Sequence, residues 1–409
     1  MAVSFAPSAP VTSAPPSAPN PAPVPAAPAG PTPAAPVATT RPRLAELRLS
    51  AFAGHRRARL PLGEFTLLSG PSGVGKTTAL TAYGALARLA AGGTLREAFP
   101  DPVSLVPDGA RPDAQRRRGF RIGCTSVGPA GPVRLDLAVQ VEPDLRIVGE
   151  RLSARGVVLF GTALVDPGRR AVQAAWHTAG QAPVTRAPLP DDRLGTALLP
   201  LRVAGRTDGQ RHVLAAAEQT LVALRSVFAC DPRPAAMRRS VPVGEGRLLG
   251  DCGNFADVLR RTRGECAHRH ARFVATVRAG CTGPVEDVRA VRGPGGTVRA
   301  VVDRGDGTVT DFPRLGDGEL RYMALALVLL TGAGVLDVEA PVGEVPDALC
   351  ALTVLADGFD RGLDVRQRRE LARLARQTVA GGHLRCVAAV SDAGWAVGDR
   401  AVTVVHLEP

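Results

Sequence analysis

A single lysine, Lys76, stands among the 409 residues, and the other 49 basic residues are arginine. It sits in the run Gly70-Pro71-Ser72-Gly73-Val74-Gly75-Lys76-Thr77, followed by Thr78. This is the pattern of a phosphate-cradling loop. Backbone N–H groups surround the phosphates, the lysine ammonium reaches the β and γ oxygens, and the threonine hydroxyl ligates magnesium. Glycine is required because the main chain must approach an anion closely, in conformations a side chain forbids. A helix opening at Lys76 adds the positive end of its dipole. In a chain that uses arginine almost everywhere, a lysine at the one place needing a compact ammonium is informative. The run therefore predicts ATP and Mg²⁺ as ligands, with residues 70–78 as the binding loop and Lys76 acting on the transferred phosphate. The alternative, a glycine turn without a ligand, fits less well because an apolar strand precedes the loop and an amphipathic helix follows it.

Two further segments carry chemistry. Leu315-Gly316-Asp317-Gly318-Glu319-Leu320-Arg321 opens an apolar helix, giving a second glycine-led helix N-terminus. The strand Ala351 to Ala356 ends at Asp357, followed by Gly358-Phe359-Asp360-Arg361-Gly362-Leu363-Asp364. A carboxylate there suits a magnesium site. The first segment resembles the LSGGE signature of ABC-type ATPases, and the second resembles that family's Walker B strand and D-loop, DEPxxxLD. The strand Cys386 to Val390, followed by Ser391 and Asp392, stands where the family has its last core strand and switch histidine. With Leu44 to Ser50, and with Gly250-Asp251-Cys252-Gly253-Asn254 before a helix, residues 43–409 resemble the RecF-like and SMC-like branch of ABC-type ATPases.

That resemblance implies an α/β P-loop NTPase fold of the ABC-type head, with a mixed sheet, a peripheral antiparallel subdomain and a helical insertion over 205–300. It also implies an ATP-dependent homodimer in which Leu315 to Glu319 of one head meets the nucleotide of the other. DNA or a protein is the implied partner, and Thr77 and Asp357 are the implied magnesium ligands. The pattern departs from the family at two positions. Gly358 replaces the glutamate that orients the attacking water, and Asp392 replaces the switch histidine. No glutamine suits the Q-loop. Slow hydrolysis is expected, with Asp360 or Asp392 as substitute water-positioning groups. A second reading is a nucleotide-gated binding or scaffold module without useful turnover. A small-molecule kinase would share the loop but leave the LGDGELR segment without a role.

These groups need elements to hold them. Periodicity predicts strands at Leu44 to Ser50 and Glu64 to Ser69 and a helix over Thr77 to Ala91. Alternating segments from Phe120 to about Ala204 predict an antiparallel sheet. Helices are expected over His212 to Phe228 and Asn254 to Arg278, followed by three short strands between Val285 and Phe312. Helix and strand then alternate: a helix from Gly318 to Leu330, a strand from Ala351 to Ala356, a helix from Val365 to Ala380, and strands at Cys386 to Val390 and Val402 to His406.

Composition sets the limits. Residues 1–42, almost wholly Ala, Pro, Ser, Val and Thr up to Thr40, read as a disordered tail. The formal net charge of +12 could attract phosphate polymers, but the arginines are scattered in sequence and read as a dispersed solvated surface. Seven cysteines without a CxxC pair, in a chain with no recognisable signal peptide, suggest a reduced, cytoplasmic protein. Cys266, His268, His270 and Cys281 do not match the spacing of a zinc site and are taken as ordinary surface residues. No apolar run reaches the length of a membrane span, Met323 to Leu330 included.

Overall fold

The computed structural model describes residues 41–177, 184–338 and 351–408. The expected tail falls outside these except for its last two residues. Strand β1 (Arg43–Phe52) turns into β2 (His55–Pro61), a hairpin partner that periodicity alone did not reveal. Strand β3 (Phe65–Ser69) leads through residues 70–75 into α1 (Lys76–Ala90), and one turn, α2 (Leu95–Ala98), follows. Strands β4 (Arg118–Val127), β5 (Val133–Glu142), β6 (Arg146–Ala154), β7 (Val157–Ala163), β8 (Ala171–Trp176) and β9 (Thr185–Pro190) complete an eight-stranded antiparallel sheet in the order β2-β1-β4-β5-β6-β7-β8-β9. The antiparallel sheet predicted after Phe120 is present, but it also includes the first hairpin.

A short turn, α3 (Gly195–Leu198), precedes α4 (Asp208–Leu224), which is capped by the Thr207 side chain. The helix stops short of the expected Phe228. Arg225 is extended and Ser226 takes a left-handed φ of 54°, so Val227 to Cys230 become strand β10 instead. After α5 (Pro234–Met237) and β11 (Val241–Pro242), the helix predicted from Asn254 to Arg278 is two helices, α6 (Phe255–Glu265) and α7 (Ala267–Gly280). The break lies at Cys266, with φ −149° and ψ 86°, and lets Phe255 and Phe273 pack with ring centroids 6.0 Å apart. Strands β12 (Asp287–Arg292), β13 (Thr297–Gly305) and β14 (Thr308–Asp311) form a small sheet with β11.

The last elements are α8 (Asp317–Leu330), β15 (Leu352–Ala356), α9 (Val365–Val379), β16 (Leu384–Val390) and β17 (Val402–His406). They complete a five-stranded sheet, β10-β15-β16-β3-β17, in which every pairing is parallel. The expected mixed sheet is instead an all-parallel sheet, and the antiparallel strands form two further sheets. The segment 205–300 does not stand apart as a purely helical insertion, since it supplies β10 to the parallel sheet.

Strands β3, β15 and β16 are buried at every residue because both faces of the parallel sheet are covered. Leu68, Leu355 and Val387 join the core shared with α1, α4 and the antiparallel sheet. Leu67, Val354 and Cys386 point the other way, into the core formed by α6 to α9. Helix α8 runs through that second core, with Leu320 to Leu329 all buried, which accounts for its apolar sequence. Among the described residues no helix is long and apolar enough to cross a membrane.

Candidate functional site

The carboxyl ends of β3, β16, β15 and β10 lie side by side, since Ser69 pairs with Val390, Ala388 with Ala356, and Ala356 with Cys230. Loops leaving that edge of a parallel sheet form its natural ligand crevice. Gly75 caps α1 with φ +95°, and a β-carbon there would lie 2.6 Å from His55 Nε2, so both conformation and space demand glycine. The Lys76 ammonium donates to the carbonyls of Gly70 at 2.6 Å and Pro71 at 2.8 Å. The Thr77 hydroxyl donates to Asp357 Oδ2 at 2.8 Å, across 280 positions of sequence. Ser72, Gly73, Gly75, Lys76, Thr77 and Thr78 line a cleft of about 300 Å³, with Asp357, Gly358, Asp360 and Arg361 among the residues opposite. Val74 instead packs partly buried against the core. A hydroxyl and a carboxylate oxygen beside a lysine and open backbone amides form a hard-oxygen donor set, which fits magnesium and a phosphate chain.

Gly358 has a left-handed φ of +59°, and a β-carbon on it would meet the Arg361 side chain at 2.7 Å. The Arg361 guanidinium therefore lies where a side chain on residue 358 would begin. Arg361 also reaches Asp231 at 3.5 Å. Asp360 is nearly buried. Its Oδ2 accepts from the amides of Ser391 at 2.8 Å and Asp392 at 3.4 Å, while Oδ1 has no partner among the described residues. Asp392 does not line the cleft, and its carboxylate accepts from the Gly394 amide.

The LGDGELR segment builds a different surface. Gly316 and Glu319 cap α8, and Arg238 holds the segment by donating to Leu315 O at 2.8 Å and Asp317 Oδ1 at 2.6 Å. A β-carbon on Gly318 would lie 2.2 Å from Gly362 O, so the start of α8 touches the loop after β15 through backbone alone. None of Leu315 to Glu319 lines the cleft beside Lys76. Arg321, one turn further, is buried and ties the two regions together. It donates to the carbonyls of Asp357 at 3.0 Å and Gly358 at 2.9 Å, and also to Pro232 O and Asp231 Oδ1.

Arg238, Asp231 and Arg361 were not singled out from sequence. Asp231 was hidden because the strand before it was read as helix. Its neighbour Cys230 lies 3.9 Å from Cys252, and that contact, with burial, holds the Cys252 thiol well above its ordinary pKa. All six described cysteines are free, and Cys350 lies outside the described residues. His270, expected at the surface, is nearly buried and bonds Asp287 at 2.7 Å. Burial works to raise the Asp287 pKa, but this hydrogen bond and the Arg263 charge outweigh it and hold the carboxyl below its ordinary range.

No protein-family model matches the chain, and no curated protein matches it. Solved structures similar to it include three SMC head domains. An SMC head bound to the C-winged helix domain of ScpA has 11% identity, 86% of this chain and 90% of that chain covered, and a TM-score of 0.41. The SMC head domain from Thermotoga maritima has 11% identity, 86% and 89% coverage, and a TM-score of 0.39. An Smc head domain with an extended coiled coil, bound to the C-terminal domain of ScpA derived from Pyrococcus furiosus, has 12% identity, 86% and 90% coverage, and a TM-score of 0.40.

Proposed function

We propose that the protein binds Mg-ATP in the cleft of Gly70 to Thr78 and hydrolyses it slowly, as one of two heads that close on each other. The observation that carries this reading is the Thr77–Asp357 hydrogen bond at the mouth of the phosphate loop, which sets two oxygen donors beside the only lysine. Thr77 and Asp357 would hold the magnesium ion, Lys76 and the loop amides the phosphates. The metal, when bound, neutralises phosphate charge. The protein's own part is to orient the phosphates and the attacking water. Gly358, in a left-handed conformation, places no carboxylate directly after Asp357, which supports slow turnover. Asp360 is the better candidate for positioning water, because it lines the cleft and Asp392 does not. A well-placed base contributes roughly 10²–10⁴-fold. Asp360→Asn is therefore expected to lower turnover at least about tenfold, at unchanged ATP affinity, while Asp392→Asn leaves it as it was. Steady-state phosphate release checks this, and equal turnover in both variants and the wild type would remove Asp360 from the mechanism.

Leu315 to Glu319 lies outside this chain's own cleft, which supports a site completed by a second copy. Molecular mass in solution is expected to double with Mg-ATP and to stay monomeric with Mg-ADP. A mass independent of nucleotide would end the two-head reading. The second reading, a nucleotide-gated binding module, rests on the same displaced position at Gly358. It is supported if ATP drives dimerisation without measurable phosphate release.

A further inference from the structure

The eight-stranded antiparallel sheet turns one face to the core with α1 and α4, through residues such as Leu47, Ile122 and Leu135. Its other face forms an open trough of about 970 Å³. Cross-strand register places side chains in rows there. One row crosses all eight strands, with Arg59, Arg48, Arg151 and Arg186 separated by Gly123, Asp136, Gly161 and Ala175. The adjacent row has Arg57, Ser50 and Arg121, then Ala138, Gly149 and Ala163. Arginines thus stand on both wings and in the middle, over a floor of glycine and alanine. At about 4.8 Å per strand, Arg59 and Arg151 are roughly 19 Å apart along the sheet, close to the width of a double helix.

The charge is uncompensated. Glu46 and Asp136 on this face are matched by Arg48 and Arg134. Arg57, Arg59, Arg121, Arg151 and Arg186 are exposed, and none has a hydrogen bond or ion pair among the described residues. Glu150, whose backbone borders the trough, directs its carboxylate to the opposite face, where it accepts from Gly195 and Thr196. Five free guanidinium groups over a low floor suit a polymer of phosphates, because each neutralised phosphate releases a counterion. The occupant is further limited by what the trough lacks. Among the described residues no Phe, Tyr or Trp lines it and His177 is the one ring present, so it lacks the row of stacking faces that successive unstacked bases of a single strand use. An acidic peptide would want several apolar anchors, and Val165 is the one large apolar residue that is exposed among the described residues lining the trough.

The geometry points to this trough as a binding face for duplex DNA, held through its phosphates without reading sequence. It is separate from the Lys76 cleft and does not depend on the ATP reading. The test is fluorescence anisotropy of the full chain, without nucleotide, against mixed-sequence duplex DNA over a range of salt. With about five phosphate contacts, the slope of log affinity against log salt is expected near −4.5. The triple variant Arg121→Ala, Arg151→Ala, Arg186→Ala is expected to flatten that slope by about 3. A control triple of the same charge change elsewhere on the surface, at Arg272, Arg369 and Arg400, should leave it nearly unchanged. The three trough arginines replaced by lysine keep the charge and should keep the slope. Equal losses in the alanine triples would reduce the effect to net charge and overturn the proposal, as would absence of binding or a lysine triple that fails to bind. Tighter binding of single-stranded DNA or of duplex RNA through the same arginines would overturn the assignment to duplex DNA.

Discussion

Lys76→Ala is expected to weaken Mg-ATP binding by about a hundredfold or more. A hydrogen bond to a charged group contributes roughly 1.5–3 kcal/mol, and an ammonium that reaches both the β and γ phosphates makes two, which together correspond to about two orders of magnitude in affinity. The ammonium already sits over the loop, against Gly70 O and Pro71 O, so it needs only to exchange those carbonyls for phosphate oxygens. Lys76→Arg should fare little better than alanine, since a planar fork cannot take the place of a compact ammonium between two carbonyls of one tight loop. Isothermal titration with Mg-ATP and with Mg-ADP checks both. Because Lys76 begins α1 and its side chain is not part of the core, thermal unfolding of the apoprotein should change little, and loss of binding with an unchanged melt separates a site effect from a folding one. Unaltered ATP affinity in Lys76→Ala would remove the phosphate reading altogether.

The loop was legible because its chemistry is local: glycines, lysine and threonine follow one another within a turn of chain. Asp357 was legible for a related reason, as a carboxylate ending a strand that is apolar but for Thr353, although the bond to Thr77 that unites the two motifs is a property of the fold. What escaped depends on tertiary neighbours. Strand β10 is four residues with no glycine or proline before it, and the helix is ended by Ser226 in a left-handed conformation that sequence does not announce. Asp231 was lost with that strand. Arg361 and Arg238 look like any other arginine until the loops holding them are in place. The basic trough is the clearest case. Its arginines alternate with buried apolar residues, two positions apart in strands widely separated in sequence, so that a charge distribution read along the chain looks dispersed. Only the register of eight strands puts them on one surface.

Arg321 is where stability and site geometry meet. Its guanidinium is buried at 5% exposure and serves four acceptors on two other segments, Asp231 and Pro232 after β10 and Asp357 and Gly358 after β15. Removing it would leave the Pro232 and Asp357 carbonyls without their donor, while Gly358 O keeps the Arg361 amide at 3.0 Å and Asp231 keeps the Arg361 guanidinium at 3.5 Å. Loss of one partner from a buried ion pair costs roughly 3–5 kcal/mol, and because Asp231 is 40% exposed the lower end of that range applies. Arg321→Met, which keeps most of the packing volume, is expected to destabilise the chain by about 3 kcal/mol, read as a lower midpoint in urea. Arg321→Lys should recover only part of this, because one ammonium cannot span acceptors on both loops. The same substitution should weaken Mg-ATP binding although Arg321 does not line the cleft, since the backbone it holds is the one that aims Asp357 at Thr77. A variant with full stability and weakened ATP binding would show that Arg321 only orients the site. A variant less stable but with unaltered binding would show that Asp357 is positioned by its strand alone, through the Asp357 amide bonded to Cys230 O at 2.9 Å.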